Sequence, residues 1–169
     1  MVDMLIKLYE LESLGSFEAH QKALGIELRK PTGPEKHAII AWVSDQFGNT
    51  WSSEVDVALS NQPRTCFVAV KDSQIIGFAC YDATALGLLG PIGVAKSHRR
   101  TGTGRALLKA CLLDMKSKGY GYAVIGGVKD VQFYVKAVGA LEIPDSDPGL
   151  YAHQIKGPPT KENSQSVTD

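Results

Sequence analysis

Each thing this chain lacks removes a class of function. It has no excess of charge: 18 Lys and Arg residues balance 18 Asp and Glu, for a formal net charge of zero with His neutral. A dedicated nucleic-acid binder carries a broad basic face, so that class is set aside, and any anion site must be local. Long hydrophobic runs are missing too. IIGFACY at 75–81 is among the longest, far short of the roughly 20 apolar residues of a membrane span. No membrane partner is expected. The N-terminus MVDMLIKLYELE places acids inside its apolar stretch, which does not read as a signal peptide and predicts a cytoplasmic protein. Cysteine is scarce. Cys66, Cys80 and Cys111 lack CxxC spacing and sit in apolar runs, so buried reduced thiols are expected and a metal site is not.

The 169 residues suffice for one domain with a proper core. One domain over 1–156 is expected, followed by a polar tail, GPPTKENSQSVTD at 157–169, too poor in apolar residues to order. Within the domain, alternation predicts strands in MLIKLYEL and GIELRK, separated by a loose stretch. Ile39, Ile40, Val43 and Phe47 recur at helical spacing, with Gly48 as a stop, and SSEVDVALS reads as a second short helix. RTCFVAV and IIGFACYD form a hairpin of strands buried on both faces. TALGLLGPIGV is strand-like but carries Gly90, Pro91 and Gly93, which predicts a bulge or an edge where a ligand approaches the backbone. A helix with Leu108, Cys111, Leu112 and Met115 on one stripe follows. Then come a strand in YAVIGG, a helix in DVQFYVKAVG capped by Asp130, and a last strand in LYAHQI. The fold class is mixed α/β.

The segment HRRTGTGR at 98–105 joins the glycine-broken strand to that apolar helix. A helix N-terminus offers unpaired N–H groups and partial positive charge, so it suits phosphate. Glycines admit close approach, and Arg99, Arg100 and Arg105 add charge. A P-loop would need GxxxxGK[ST], and no such run exists. A dinucleotide fingerprint would need GxGxxG, but Leu107 stands three residues past Gly104. What remains is Arg99-x-x-Gly102-x-Gly104, entered from a strand ending at Val94.

That pattern resembles the acetyl-CoA loop of the GNAT N-acetyltransferase superfamily: a strand valine, four residues, then [RQ]-x-x-G-x-[GA] opening a helix. The hairpin SQIIGFACYD, the strand YAVIGG and the helix VQFYVKAVGA add to the likeness, which covers residues 26–155. The resemblance implies a mostly antiparallel mixed sheet flanked by helices. By the family's count its fourth strand splays from the fifth, and GPIGV fits that role. It also implies acetyl-CoA as co-substrate, with no metal. Ile92 and Val94 would pair with the pantetheine arm through their main chain. The backbone amides of Arg100, Thr101, Gly102, Thr103, Gly104 and Arg105, together with Arg99, would hold the pyrophosphate. Tyr134 matches the family's acid, suited to protonating the departing thiolate because a phenol stays protonated at neutral pH. Asp82 is either a base for the amine's proton or a turn residue. Arg100 and Thr103 replace the family's usual glycine and isoleucine, and neither position is expected to require a missing side chain.

The acceptor implied is a small amine. FGNTWSSE places Trp51 in a loop, as a stacking surface for a sugar ring or as a buried anchor between helices. The pattern of FGNTWSSEVDVALSNQP, CFVAV, GFACYDATA and GPIGV also resembles bacterial glucosamine/glucosaminide N-acetyltransferases, which implies an amino sugar. A homodimer is an open arrangement. The alternative function is a non-catalytic acyl-CoA-binding sensor or regulatory module.

Overall fold

The apolar runs become strands. The computed structural model describes residues 1–12 and 15–155, so the polar tail lies outside the described residues. Seven strands form one sheet in the order β2-β3-β4-β5-β6-β1-β7. They are β1 (Val2–Lys7), β2 (Ile26–Arg29), β3 (Cys66–Lys71), β4 (Gln74–Tyr81), β5 (Leu88–Val94), β6 (Tyr122–Val128) and β7 (Leu141–Ile143). The helices are α1 (Gly15–Ala23), α2 (Lys36–Phe47), α3 (Asn49–Ser60), α4 (Thr103–Ser117) and α5 (Val131–Val138). Neighbouring strands pair antiparallel except β5 with β6. The sheet is therefore mixed and mostly antiparallel, as expected.

Helices cover both faces. The stripe Leu108, Cys111, Leu112 and Met115 of α4 is fully buried against Met4, Ile6, Ala69 and Ile125 of the sheet. Each Leu or Met so buried contributes about 1.5–3 kcal/mol. On the opposite face, Ile39 and Val43 of α2 and Val55 and Leu59 of α3 pack on Val68, Phe78 and Cys80. All three cysteines are buried free thiols, and burial pushes those of Cys80 and Cys111 well above the usual range. No described helix is long and apolar enough to cross a membrane.

The irregularity that opens the sheet lies in β5. It pairs with β6 only at Leu88↔Val124 and Leu89↔Ile125. Beyond that point its register against β4 shifts between Ala79 and Tyr81, as a bulge containing Gly90, at φ +136°, and Pro91. Proline cannot donate to a ladder, and glycine tolerates the positive φ. Ile92, Gly93 and Val94 then stay on β4, opposite Ala79, Phe78 and Gly77. They leave β6, and a gap opens between the two parallel strands.

Three sequence-based expectations are corrected. The loose stretch before β2 contains α1, whose one buried residue is the polar Gln21, so no apolar periodicity announced it. Trp51 lies in the first turn of α3, which begins at Asn49 rather than at the serines. LYAHQI is not the last strand. Leu141–Ile143 takes the edge beside β1, while Gly149–Tyr151 forms a short 3-10 turn.

Candidate active site

The glycine-arginine loop builds a cradle at the start of α4. Gly102 is the N-cap, at φ +78° in the left-handed region. The first bond of the helix runs from Ala106 N–H to the Gly102 carbonyl, 3.0 Å. That leaves the N–H groups of Thr103, Gly104 and Arg105 without helical acceptors. They border a cavity of about 420 Å³ lined by Arg99, Arg100, Gly102, Thr103, Gly104 and Arg105, among others. A Cβ on Gly104 would meet only the Val94 side chain, at 3.7 Å. The space on that side of Gly104 is open.

The loop is held from beneath by a residue the sequence reading passed over. Gln21 of α1, 1% exposed, donates through Nε2 to the Thr101 carbonyl at 2.9 Å. Its Oε1 accepts from the Thr103 hydroxyl at 2.7 Å. The Thr101 hydroxyl donates to the His98 carbonyl at 2.8 Å and lies 2.8 Å from the Thr103 hydroxyl. The two threonine side chains thus fix the loop. Arg99 donates from Nε to the Val94 carbonyl at 3.2 Å, tying the loop to the end of β5. The Arg105 guanidinium stands 5.8 Å from the Phe17 ring centroid. Arg100 departs from expectation. It sits at φ +66°, the left-handed region that glycine occupies freely and an L side chain only at about 1–2 kcal/mol. The family's glycine at this position has a conformational reason after all.

A second cavity, of about 690 Å³, continues from the first and shares Val94, Arg99, Gly104 and Phe133 with it. It follows the gap between Ile92–Val94 and Gly127–Val128 and is closed by Tyr134, Phe47 and Trp51. The edge of β5 that faces this gap has no strand partner beyond Leu89. Tyr134 is half-buried in the first turn of α5, which opens where the Asp130 carboxylate accepts from Phe133 N–H at 3.1 Å. Burial, with the Asp130 charge adding to it, holds the Tyr134 hydroxyl above its ordinary pKa. It stays protonated. Trp51 is packed as an anchor and also reaches the cleft. It stacks on Phe47 at 5.2 Å and meets Phe78 edge-on at 6.2 Å, yet it lines the cleft. Gly93 lets β5 pass beneath this cluster, since a Cβ there would lie 2.7 Å from Phe47 Cζ.

Asp82 is placed elsewhere. It lies at φ +52° in the β4–β5 turn. Gly87 N–H donates to its Oδ1 and the Tyr120 hydroxyl to its Oδ2, each at 2.7 Å. Both oxygens serve the turn, and Asp82 is not among the residues lining either part of the cleft. Of the two sequence readings, the geometry matches the turn.

A group that the sequence did not single out sits where β5 and β6 part. Glu54 of α3 accepts from the Thr84 hydroxyl. The Tyr151 ring covers Gly126 and Gly127, its hydroxyl 2.8 Å from where a Gly126 Cβ would stand. These residues come from a helix, a turn and the C-terminal 3-10 segment, so no spacing rule links them.

The sequence profile of the "Acetyltransferase (GNAT) family" matches residues 36–140. No curated protein matches the sequence significantly. Among solved structures, the fold is similar to a region of a fungal multi-domain GH3 β-N-acetylglucosaminidase. That protein is described as containing a GCN5-related glucosamine N-acetyltransferase region. The TM-score is 0.70 at 14% identity, over 84% of this chain and 19% of that one. A GCN5-related N-acetyltransferase from Sphaerobacter thermophilus superposes with TM-score 0.61 at 20% identity, over 84% of this chain and 48% of that one. One from Kribbella flavida gives 0.55 at 16% identity, over 83% and 53%. The chain thus spans about a fifth to a half of these relatives' lengths. With its arginine-glycine cradle, splayed strands and matching profile, the chain belongs to the GNAT acetyltransferase family.

Proposed function

We propose that this protein transfers the acetyl group of acetyl-CoA to the primary amine of a small acceptor by direct attack. The observation that carries this reading is the single cleft running from the free amides of α4, along the open edge of β5, to Tyr134. The amides of Thr103, Gly104 and Arg105 would hold the diphosphate, with Arg99 and Arg100 adding charge. Ile92 and Val94 would pair through their main chain with the pantetheine arm, as an added strand pairs. From Val94 back to Gly90 the strand runs about 13 Å at roughly 3.3 Å per residue, which sets the thioester near the bulge. Tyr134, kept protonated by burial, would give its proton to the departing thiolate.

The finer reading is an amino sugar as acceptor. The Trp51–Phe47 stack offers the apolar face of a hydroxylated ring a surface at the cleft mouth, and the fungal structural relative carries a region named for glucosamine. The test is thiol release from acetyl-CoA over a panel containing glucosamine, polyamines and basic peptides. Fast turnover of amino sugars supports both readings. Preference for polyamines or peptides overturns the amino sugar. Tight acetyl-CoA binding with no amine acetylated overturns the enzyme and leaves a sensor module.

A further inference from the structure

Beside the cleft, behind Trp51 and Gly127 of its lining, stands the cluster of Glu54, Thr84 and Tyr151 where β5 leaves β6. Glu54 follows Trp51 by three residues on α3, which puts the two on neighbouring positions of one helix face. Trp51 lines the cleft, so Glu54 stands next to that lining. Thr84, from the β4–β5 turn, donates its hydroxyl to the Glu54 carboxylate. Tyr151 comes from the C-terminal 3-10 segment, its ring against Gly126 and Gly127, the first residues of β6 past its last pair with β5.

The charge balance of this cluster is incomplete. Glu54 is half-buried, and among the described residues no Lys, Arg or His forms an ion pair with it. A carboxylate offers about four acceptor sites, and a single hydroxyl occupies one. A half-buried, under-satisfied anion is unfavourable alone and becomes favourable when a cation donates to it. The titratable neighbours do not supply that cation. Tyr151, raised by burial and by the nearby Glu54 charge, is neutral. The buried Cys80 thiol on β4 is neutral as well. Asp3 of β1, beyond Tyr151, is an acid whose Oδ1 accepts from Gly127 N–H at 2.8 Å. On α3 itself, Asp56 pairs with Lys36 at 2.7 Å.

We propose that Glu54 receives the ammonium group of the acceptor and takes its proton, with the Thr84 and Tyr151 hydroxyls orienting carboxylate and acceptor. The inference rests on the acetyl-transfer reading above and assigns its acceptor end. The chemical class that fits is a primary amine, protonated at neutral pH, on a hydroxylated frame: an amino sugar or amino alcohol. The step balances. Glu54 takes one proton from the ammonium, and the neutral amine adds to the thioester carbon, forming C–N. The resulting oxyanion collapses and breaks C–S. The thiolate takes the Tyr134 proton, and the remaining excess proton on nitrogen returns to the Tyr134 phenolate. The proton on Glu54 passes to water when the amide leaves.

The test compares wild type with Glu54→Gln, which keeps the shape, and with Thr84→Val, which removes the orienting hydroxyl. Acetyl-CoA and glucosamine affinities are measured by calorimetry, the latter in the presence of CoA, and kcat/KM for glucosamine is followed from pH 6 to 10. Glu54→Gln is expected to leave acetyl-CoA affinity unchanged and to weaken glucosamine binding roughly 10- to 100-fold, the worth of a charged hydrogen bond. Its kcat/KM at pH 7 should fall about 100-fold or more. That deficit should shrink as pH rises past the amine's own pKa, where neutral amine is free in solution; a merely structural role would not produce this. Thr84→Val should raise KM for glucosamine several-fold with a smaller effect on kcat. If wild type acetylates glucosamine and Glu54→Gln keeps its amine affinity and pH profile, the assignment of Glu54 is overturned while acetyl transfer stands. If wild type fails to bind acetyl-CoA, or transfers to no amine, the broader reading falls and takes this one with it.

Discussion

Tyr134 carries the sharpest consequence at the scale of single residues. Tyr134→Phe keeps the ring against Phe133, 4.9 Å away, and deletes the donor. Turnover should fall roughly 100-fold, the lower end of positioned acid catalysis, because a thiolate leaves partly unaided. Acetyl-CoA affinity should not move. Since burial raises this hydroxyl above its ordinary value of 10.0, wild-type turnover should show no loss from Tyr134 ionisation up to that pH. Steady-state rates against pH, with calorimetry of the variant, check both. Gln21 makes a second case. Gln21→Leu fills the volume but leaves the Thr103 hydroxyl and the Thr101 carbonyl without their partners, at a cost of about 1–3 kcal/mol. Denaturant unfolding should report that loss, and acetyl-CoA affinity should drop with it because the loop is no longer held. The place of Tyr134 on α5 at the cleft was legible from its motif. Gln21 was not, because a buried glutamine leaves no mark on a hydrophobic pattern.

Among the elements, the loop opening α4 separates two duties of glycine that the sequence shows only as a repeated letter. Gly102 adopts φ +78°, so Gly102→Ala strains the backbone by about 1–2 kcal/mol whether or not ligand is present. Gly104 has helical geometry, and its added Cβ meets Val94 at an ordinary 3.7 Å. Gly104→Ala should therefore fold with wild-type stability while losing acetyl-CoA affinity, since the methyl stands where the diphosphate approaches. Thermal unfolding without ligand, paired with binding measurements, separates the two. A Gly104→Ala variant with unaltered affinity would move the diphosphate away from this amide. The strand leading into the loop was readable because Gly90, Pro91 and Gly93 are costly in a regular ladder. Helix α1 was not, because its contact with the core is polar.

Across the whole molecule, the sheet sets the two walls of the cleft on different supports. α4 packs on one face and carries the cradle; α2 and α3 pack on the other and carry Trp51 and Glu54. Opening β5 from β6 lets the two sides meet. The attachment of the α2–α3 side has its own pH signature. Glu35, just before α2, accepts from Arg29 of β2 at 2.6 and 2.9 Å and from Thr32 N–H at 2.6 Å. The Arg29 bonds first, and then Thr32 N–H, lower its carboxyl from 4.5 to about 2. A depressed folded-state pKa stabilises above the unfolded value and is lost as pH falls through the folded one. The stability difference between wild type and Glu35→Gln should thus be full above pH 4.5 and vanish toward pH 2. Urea titrations at pH 7, 4 and 2 measure it. A difference independent of pH would mean that packing, not the ion pair, is what Glu35 contributes.

The sequence by itself determined the elements whose cause is local: β3 and β4 from apolar runs, α4 from its buried stripe, the β5 bulge from Gly90 and Pro91, and the open turn before α4 from Arg99, Gly102 and Gly104. Each depends on residues close along the chain, where backbone geometry and periodicity act directly. Tertiary structure alone decided what depends on distant partners. It set Asp82 in a turn through Tyr120, moved the last strand to Leu141–Ile143, put Gln21 beneath Thr101, and brought Glu54, Thr84 and Tyr151 together. Those groupings follow from how the helices lie across a twisted sheet, and that packing leaves no spacing in the chain from which they could have been read.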